Sequence, residues 1–519
     1  MYIAMDMGTS NTRLWLCNEQ GVLKSVKDNF GASITKTEGK DALYARLKNL
    51  IGQLAEGEAN IECIIASGMA GSELGLAVVP WIPLPADKYT LAKNLQTHVL
   101  DNITSIPFLF VPGLKKVRNQ ELQDVMRGEE TESVGIMDAL SVDSDFVLVL
   151  PGTHNKAISI TKDGMVTDFY TSASGELLHN IISHTILTGT VSHDFVPNAA
   201  YVFHGAAYAK ANGLNAALFH IRVMSLNGVD SDALSSFLYG CVLGQDTDGI
   251  LHFAGNKPIY IGGNSTLKQI YRLLLGPQVQ ELSAEVSGDS VRKGLTQVLA
   301  IHQRMQEGAA TIRAIEEEKL IAIIRKPENE TLIPAVKALY AGGVRLMEIT
   351  FDRSGQIPPE HTAAQIKAIK DAIPIYVGAG TVTSVKEVEL AYNAGASLII
   401  SPNCDPVVIG KAKQLGLVSI PAAYTPTEIA SAIDAGADYI KLFPADACPK
   451  GYVKAVKAPL SDAKLLAVGG VNQDNIGAFL QEGFCGVGVG ASLYNQELIA
   501  RQDWQGLKEL AERYVSATK

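Results

Sequence analysis

Asp438-Tyr439-Ile440-Lys441-Leu442-Phe443-Pro444-Ala445 sets a lysine inside a short apolar run that reads as a buried strand. A buried ammonium is expensive, and a desolvated lysine gives up its proton more easily. A lysine placed like this can be a free amine near neutral pH, and a free amine attacks a carbonyl to form a Schiff base. Taken alone, Lys441 is explained more simply by a strand end that reaches water. The repeats around it change that reading.

Working outward, apolar runs that end in a polar residue or a glycine alternate with helical stretches. They fall at 320–325, 345–350, 375–381, 397–401, 417–422, 438–443, 464–470 and 486–490. Eight strand–helix units in roughly 200 residues are the sequence form of a small (β/α)8, or TIM, barrel. Active sites of such barrels lie at the C-terminal ends of the strands. The candidates are therefore Arg325, Glu348, Thr350, Thr381, Ser401, Pro421, Lys441, Phe443, Gly469, Gly470 and Gly490. The loops after strands seven and eight are the usual phosphate site. Gly469-Gly470 and Gly490-Ala491-Ser492 lie there, with backbone N–H groups and a hydroxyl to offer. Glu348 ends strand two at the mouth that Lys441 shares, and a carboxylate facing an amine can shuttle protons during imine formation and carbon–carbon cleavage.

Ala322-Ile323-Ile324-Arg325, Met347-Glu348-Ile349-Thr350, Val377-Gly378-Ala379-Gly380-Thr381, Ser401-Pro402, Lys441 to Ala445 and Val468-Gly469-Gly470-Val471 together resemble the class I aldolases of 2-keto-3-deoxy-6-phospho sugar acids. The resemblance covers essentially all of 315–505. It implies a Schiff-base lysine at Lys441, a proton-shuttling glutamate at Glu348 and no metal. It further implies Arg325 and Thr381 near the pyruvyl carboxylate, and Gly469, Gly470, Gly490 and Ser492 around a phosphate. One departure stands out. Some members carry an arginine two residues after the threonine of Glu-x-Thr, where this chain has Asp352 followed by Arg353.

The first 300 or so residues have a different centre. Tyr2 to Met5 is a strand ending at Asp6, followed by a turn through Gly8, Thr9, Ser10 and Asn11 and a second apolar run from Leu14. Glycine lets a backbone approach a phosphate closely, and small hydroxyl and amide side chains add donors. Asp6 can hold a metal ion through water. An ordinary hairpin with a polar turn fits this unit equally well when it is read alone. The unit recurs: Phe146 to Leu150 is a strand, Pro151-Gly152-Thr153-His154-Asn155-Lys156 a turn, and Ala157 to Ile160 a returning strand. A Gly262-Gly263 pair follows a later strand. Two such hairpins and a late glycine turn resemble the actin-like, hexokinase-like ATPases (ASKHA, RNase H-like). There the hairpins clamp the nucleotide phosphates and the glycine turn packs on adenosine.

Val111-Pro112-Gly113-Leu114, Val125-Met126-Arg127-Gly128-Glu129-Glu130-Thr131, the 151–156 turn and Ser174-Gly175-Glu176-Leu177 narrow this to a resemblance to the 2-dehydro-3-deoxygalactonokinases. That family implies a two-lobed kinase that phosphorylates the 6-hydroxyl of a 2-keto-3-deoxy sugar acid with Mg-ATP. Ser172-Ala173-Ser174-Gly175 stands where a Met-Thr-Gly-like sequence is expected. Phosphoryl transfer needs a phosphate cradle, a metal, a cation and a base for the attacking hydroxyl. Gly8 to Asn11 and Gly152 to Lys156 supply the cradle. Arg127 can grip a carboxylate bidentately. The base is Glu129, Glu130 or Asp124, since distance to the hydroxyl decides among them. His154 reads as a turn donor among the phosphate ligands.

Composition agrees. With 519 residues, 47% hydrophobic and 19% charged, the chain has material for several ordinary cores. A net charge of −10 argues against a nucleic-acid partner. Six scattered cysteines form no CxxC pair and read as reduced thiols of a cytoplasmic protein. No signal peptide or membrane-length apolar run is evident. The segment near 300–318 is helical in pattern, so the expected division is 1–306 and 307–519, joined without a floppy linker. The expected function is a bifunctional enzyme that phosphorylates 2-dehydro-3-deoxygalactonate and then cleaves the product to pyruvate and glyceraldehyde 3-phosphate. The alternatives are an aldolase for the gluconate epimer and an aldolase fused to a non-catalytic sugar-acid sensor. Partners are small sugar acids and ATP, without nucleic acid or membrane, and the aldolase resemblance implies a homo-oligomer.

Overall fold

The computed structural model describes residues 1–58 and 60–519. It divides into two compact units, Met1–Ala300 and Ile301–Lys519, and the long helix Ser290–Glu318 contains the division.

The first unit holds two sheets built on one plan. In the first sheet, Tyr2–Met7 runs antiparallel to Thr12–Asn18 and parallel to Cys63–Gly68. In the second, Phe146–Leu150 runs antiparallel to Asn155–Ile160 and parallel to Ile259–Ile261. Phe146–Leu150 is buried on both faces, which is why it is apolar throughout rather than alternating, and Tyr2–Met7 is buried except at Tyr2 and Asp6. Each hairpin tip is therefore pinned at the end of a largely buried strand. This duplicated architecture is the two-lobed actin-like plan expected from the repeated hairpins. A small third sheet, Ile82–Pro83, Leu114–Arg118 and Glu121–Met126, delivers the chain to Arg127 and the helix Glu129–Ala139.

The second unit is a ring of parallel strands. From Leu320–Ile324 it passes through Leu346–Thr350, Tyr376–Gly380, Leu398–Ile400 and Val418–Ile420. It continues through Ala422–Ala423, Ile440–Leu442, Leu465–Val468 and Gly486–Val489, which pairs back onto Leu320–Ile324. The ring has nine segments, but Val418–Ile420 and Ala422–Ala423 are one run of chain divided at Pro421. Proline has no N–H for the ladder, so one strand becomes two short pieces and the eightfold barrel closes there. The Pro421 carbonyl still accepts the Lys441 N–H at 2.9 Å. Ile321, Leu346, Leu398, Ile400, Val418, Ile420 and Leu466 pack with Ala314 and Ile315 into one apolar cluster. The sixth strand is shorter than the sequence run. Asp438 stands before it, with its N–H on the Ser419 carbonyl at 3.0 Å and its carboxylate taking Lys413 Nζ at 2.6 Å and the Ser419 N–H at 2.9 Å.

Candidate active sites

Lys441 occupies the middle of Ile440–Leu442 and is 7% exposed. Burial pushes its ammonium below the ordinary lysine value, the Glu348 charge opposes that shift and Arg325 adds to it. Glu348 is 2% exposed, and its Oε2 has no hydrogen-bond partner among the described residues. Burial raises its carboxyl above the ordinary value, against the pull of Lys441 and Arg325. These three side chains thus share one electrostatic field at the C-terminal end of the ring. Gly380, across from Thr350 in the ladder, leaves room for the acid: a Cβ there would lie 2.1 Å from Glu348 Oε1. Thr350 donates weakly to the Ile324 carbonyl, at 3.5 Å. Thr381 follows directly with φ of 59°. Phe443 is 41% exposed, with Lys441 Nζ 4.9 Å from its ring centroid. Gly469 and Gly470 both have positive φ, and a Cβ on Gly469 would meet Pro444 at 3.2 Å, so this turn packs against the end of the lysine strand. Ser492 Oγ donates to the Val471 carbonyl at 3.3 Å, which ties the loop holding Gly490 to the same turn.

In the first unit, Thr9 and Ser10 line a cavity of about 660 Å³ together with Gly152, Thr153, Asn155 and Asn264. Both hairpin tips and the turn after Gly262-Gly263 therefore open onto one space. Each tip is a tight turn: Gly8 N–H donates to the Asn11 carbonyl at 2.8 Å, and Gly152 N–H donates to Asn155 Oδ1 at 3.1 Å. Gly262 N–H donates to the Val149 carbonyl, and Gly263 sits against Pro151. His154 is exposed and pairs with Glu176 at 3.1 Å. Lys156 is 5% exposed and already engaged, with Nζ on the Val125 carbonyl at 2.9 Å and on Thr171 Oγ1 at 2.7 Å.

The three acids considered for the base differ in their surroundings. Asp124 accepts from Thr171 Oγ1 at 2.8 Å and from the Val125 N–H. Glu130 accepts the Gly128 N–H with both oxygens, and burial together with the Glu129 charge pushes its carboxyl up to about 8. Glu129 keeps a buried Oε2 without a partner among the described residues. Burial raises its carboxyl, with the charges of Lys156 and His154 acting against the rise. Arg127 lies 4.7 Å over the Trp81 ring and donates Nη2 to the Val79 carbonyl, while its buried Nε and Nη1 find no partner among the described residues. Asp6 is held by Arg13 at 2.7 Å. Burial and the charges of Glu129 and Asp6 push the Glu132 carboxyl up to about 7, so Asp6, Glu129 and Glu132 act on one another.

Several supporting residues carry no motif. Gly31 and Gly175 back the two tips in the same way: a Cβ on Gly31 would lie 2.3 Å from the Gly8 carbonyl oxygen, and one on Gly175 would lie 1.8 Å from that of Gly152. The Ala32 N–H then bonds Gly8 O, and the Glu176 N–H bonds Thr153 O. Gly175 falls within the Ser-Gly-Glu-Leu segment, though its backing role does not show there, and Gly31 has no local signal at all. Asp246, 4% exposed on the helix Ser231–Ala254, accepts from Asn155, Ser172, Ser174 and Tyr271. It stands at least 72 residues from three of these partners in sequence, so only folding brings them together.

The family model of 2-keto-3-deoxy-galactonokinase matches residues 6–298, and that of KDPG and KHG aldolase matches residues 311–510. A Rhizobium meliloti (strain 1021) protein assigned as a probable 2-dehydro-3-deoxygalactonokinase is 31% identical over 302 residues, which is 57% of this chain and 95% of that protein. The 2-dehydro-3-deoxy-6-phosphogalactonate aldolase of Escherichia coli (strain K12) is 35% identical over 201 residues, 38% of this chain and 93% of its own. A solved native KDPGal structure is 32% identical and covers 38% of this chain and 93% of its own, with a TM-score of 0.34.

Proposed function

Because the chain belongs to the 2-keto-3-deoxy-galactonokinase family through residues 6–298 and to the KDPG and KHG aldolase family through residues 311–510, we propose that it performs two consecutive steps of galactonate breakdown. It is a sugar-acid kinase and a class I aldolase in one chain. The kinase part moves the terminal phosphoryl group of ATP to the 6-hydroxyl of 2-dehydro-3-deoxygalactonate. The aldolase part cleaves the product to pyruvate and glyceraldehyde 3-phosphate. Residues 1–306 and 307–519 are the working units of this reading, which places both steps in the cytoplasm, where ATP is made, and has copies associate through the aldolase part. Among the described residues, no helix is long and apolar enough to cross a membrane.

The observation that carries the reading is the buried Lys441 amine in the field of an unpartnered, buried Glu348 oxygen at the mouth of the barrel. Lys441 Nζ adds to the C2 ketone and, with loss of water, forms the iminium. Glu348 takes the C4 hydroxyl proton as the C3–C4 bond breaks, and the bonding pair moves into the iminium to give the enamine. Glyceraldehyde 3-phosphate leaves, C3 is protonated, and water hydrolyses the iminium to pyruvate and the free lysine. Arg325 and Thr381 hold the pyruvyl carboxylate, Thr350, Pro421 and Phe443 line the mouth, and the turns at Gly469-Gly470 and Gly490–Ser492 receive the phosphate.

In the kinase part, Gly8 to Asn11 and Gly152 to His154 cradle the ATP phosphates, with Gly262-Gly263 beside the nucleoside. Lys156 supports this cradle from within the strand. The unpartnered Nε and Nη1 of Arg127 suit the bidentate grip of a sugar-acid carboxylate. Glu129 is the preferred base, since its buried Oε2 keeps no partner among the described residues, whereas Glu130 has both oxygens on the Gly128 N–H and Asp124 takes Thr171 and Val125 on Oδ1. Asp6 is the residue that would hold a hydrated Mg2+, an ion that keeps most of its waters and neutralises phosphate charge, and it would exchange its Arg13 contact to do so.

Purified protein given ATP, Mg2+ and 2-dehydro-3-deoxygalactonate tests both steps together. ADP and pyruvate appearing in equal amounts support the reading. Pyruvate formed only from pre-phosphorylated substrate points to a non-catalytic sensing part, and faster turnover of the phosphorylated gluconate epimer reassigns the aldolase.

A further inference from the structure

Thr381 combines two features that rarely meet. It is β-branched, and its φ of 59° lies in the left-handed region, where a branched side chain clashes with its own backbone. Such a conformation persists only where neighbouring groups enforce it. Here the enforcing group is visible. Arg353 Nη2 donates to the Thr381 carbonyl at 2.8 Å and pairs with Glu387 Oε2 at 2.6 Å. Glu387 is 6% exposed, and the same oxygen accepts the Thr383 N–H at 2.8 Å. The Phe351 N–H reaches the Gly380 carbonyl at 2.8 Å, one residue before Thr381, and so anchors the loop that carries Arg353 to the end of the neighbouring strand. Asp352, the residue in the place where some relatives carry an arginine, is turned into its own loop. It accepts from Ser354 Oγ and from the N–H groups of Gln356 and Ile357, and it pairs with Lys326 at 3.2 Å.

We propose that Arg353 is a positioning residue of the aldolase: together with Glu387 it clamps the strained Thr381 at the barrel mouth, and it acts through Thr381 rather than by touching the substrate. The inference rests on the aldolase reading of the second unit. It also accounts for the displaced arginine. Asp352 is committed to its own loop, and the guanidinium one residue later is spent on the backbone of the neighbouring strand end.

The test is steady-state cleavage of 2-dehydro-3-deoxy-6-phosphogalactonate by the full chain, with kinase turnover measured on the same preparations. Wild-type cleavage comes first, and its absence would reject the aldolase reading itself. Given that activity, Arg353→Ala is expected to lower kcat/KM for cleavage by up to about 100-fold, the scale of a small misplacement near the chemistry, with kinase turnover intact. Glu387→Gln is expected to reproduce the loss, and it decides the matter should Arg353→Ala also lose kinase turnover. In a Thr381→Gly background, where glycine adopts this φ freely, adding Arg353→Ala is expected to cost little more. Additive losses in the double variant, or wild-type kcat/KM in both single variants, would each overturn the clamp.

Discussion

Lys441 and Glu348 place opposite demands on one buried space. Burial favours the neutral amine and the neutral acid, while each charge favours the other. The sign of the consequence is fixed. A lysine pushed below 10.5 offers more free amine as pH rises, so the aldolase rate has an ascending limb below that value. The Glu348 charge holds the lysine proton on, so Glu348→Gln is expected to shift this limb to lower pH while lowering kcat by about 100- to 10,000-fold. A pH–rate profile of both proteins, read on cleavage alone, checks the shift and the loss together. Lys441 and Glu348 were legible as a pair because both lie in strand runs that end at the same barrel mouth. Glu129 was legible only as one of three acids, and the choice waited on which oxygens the fold leaves unpaired. Arg127 stood out in the Arg-Gly-Glu-Glu run, but the Trp81 ring beneath it comes from a distant segment.

At the scale of elements, each phosphate-type hairpin is a strand pair plus a backing glycine from the segment that enters the next helix. Gly175 has no space for a side chain, since a Cβ would fall on the Gly152 carbonyl. Gly175→Ala must therefore push the second turn out of place. Overpacking of this kind costs about 1–3 kcal/mol, so kinase kcat/KM for ATP is expected to fall roughly 5- to 150-fold while cleavage of the phosphorylated acid is untouched. Parallel kinase and aldolase assays on one preparation check this, and a matching loss in both would show a general folding defect instead. The hairpins were readable because strand, glycine turn and returning strand follow one another without interruption, from Tyr2 to Asn18 and from Phe146 to Ile160. Gly31 was not, because two strands, Thr12–Asn18 and Gly21–Asp28, separate it from its partner turn. The fifth barrel strand, continuous in the sequence pattern, is two pieces, since Pro421 breaks the ladder that its neighbours continue.

For the whole molecule, two units with separate centres should fail separately. Asp6→Ala is expected to abolish kinase turnover and spare cleavage, and Lys441→Ala the reverse, with borohydride and pyruvate labelling only the protein that keeps Lys441. Equal loss of both activities in either variant would show that the units do not work independently. Stability should also depend on pH in a defined direction. Glu130 holds its proton up to about 8 when folded, against 4.5 for an ordinary glutamate. Between those values the folded chain binds more protons than the unfolded one, so stability falls as pH rises across that window and levels off outside it. Thermal unfolding of wild type and Glu130→Gln across that window reads this directly, and the variant is expected to show the flatter profile.

By itself the sequence determined the two-part plan, the eight strand–helix units, the duplicated hairpins and the residues that end strands at the barrel mouth. These are local or periodic features, and their spacing along the chain carries them. Only the tertiary structure decided which acid keeps a free oxygen, that Lys156 is spent on Val125 and Thr171, that Asp246 ties the second turn to other segments, and that Arg353 braces Thr381. Each of these depends on which groups the fold brings together or keeps apart. A side chain's chemistry is set by the groups that surround it in space, and residue type and spacing along the chain do not record those neighbours.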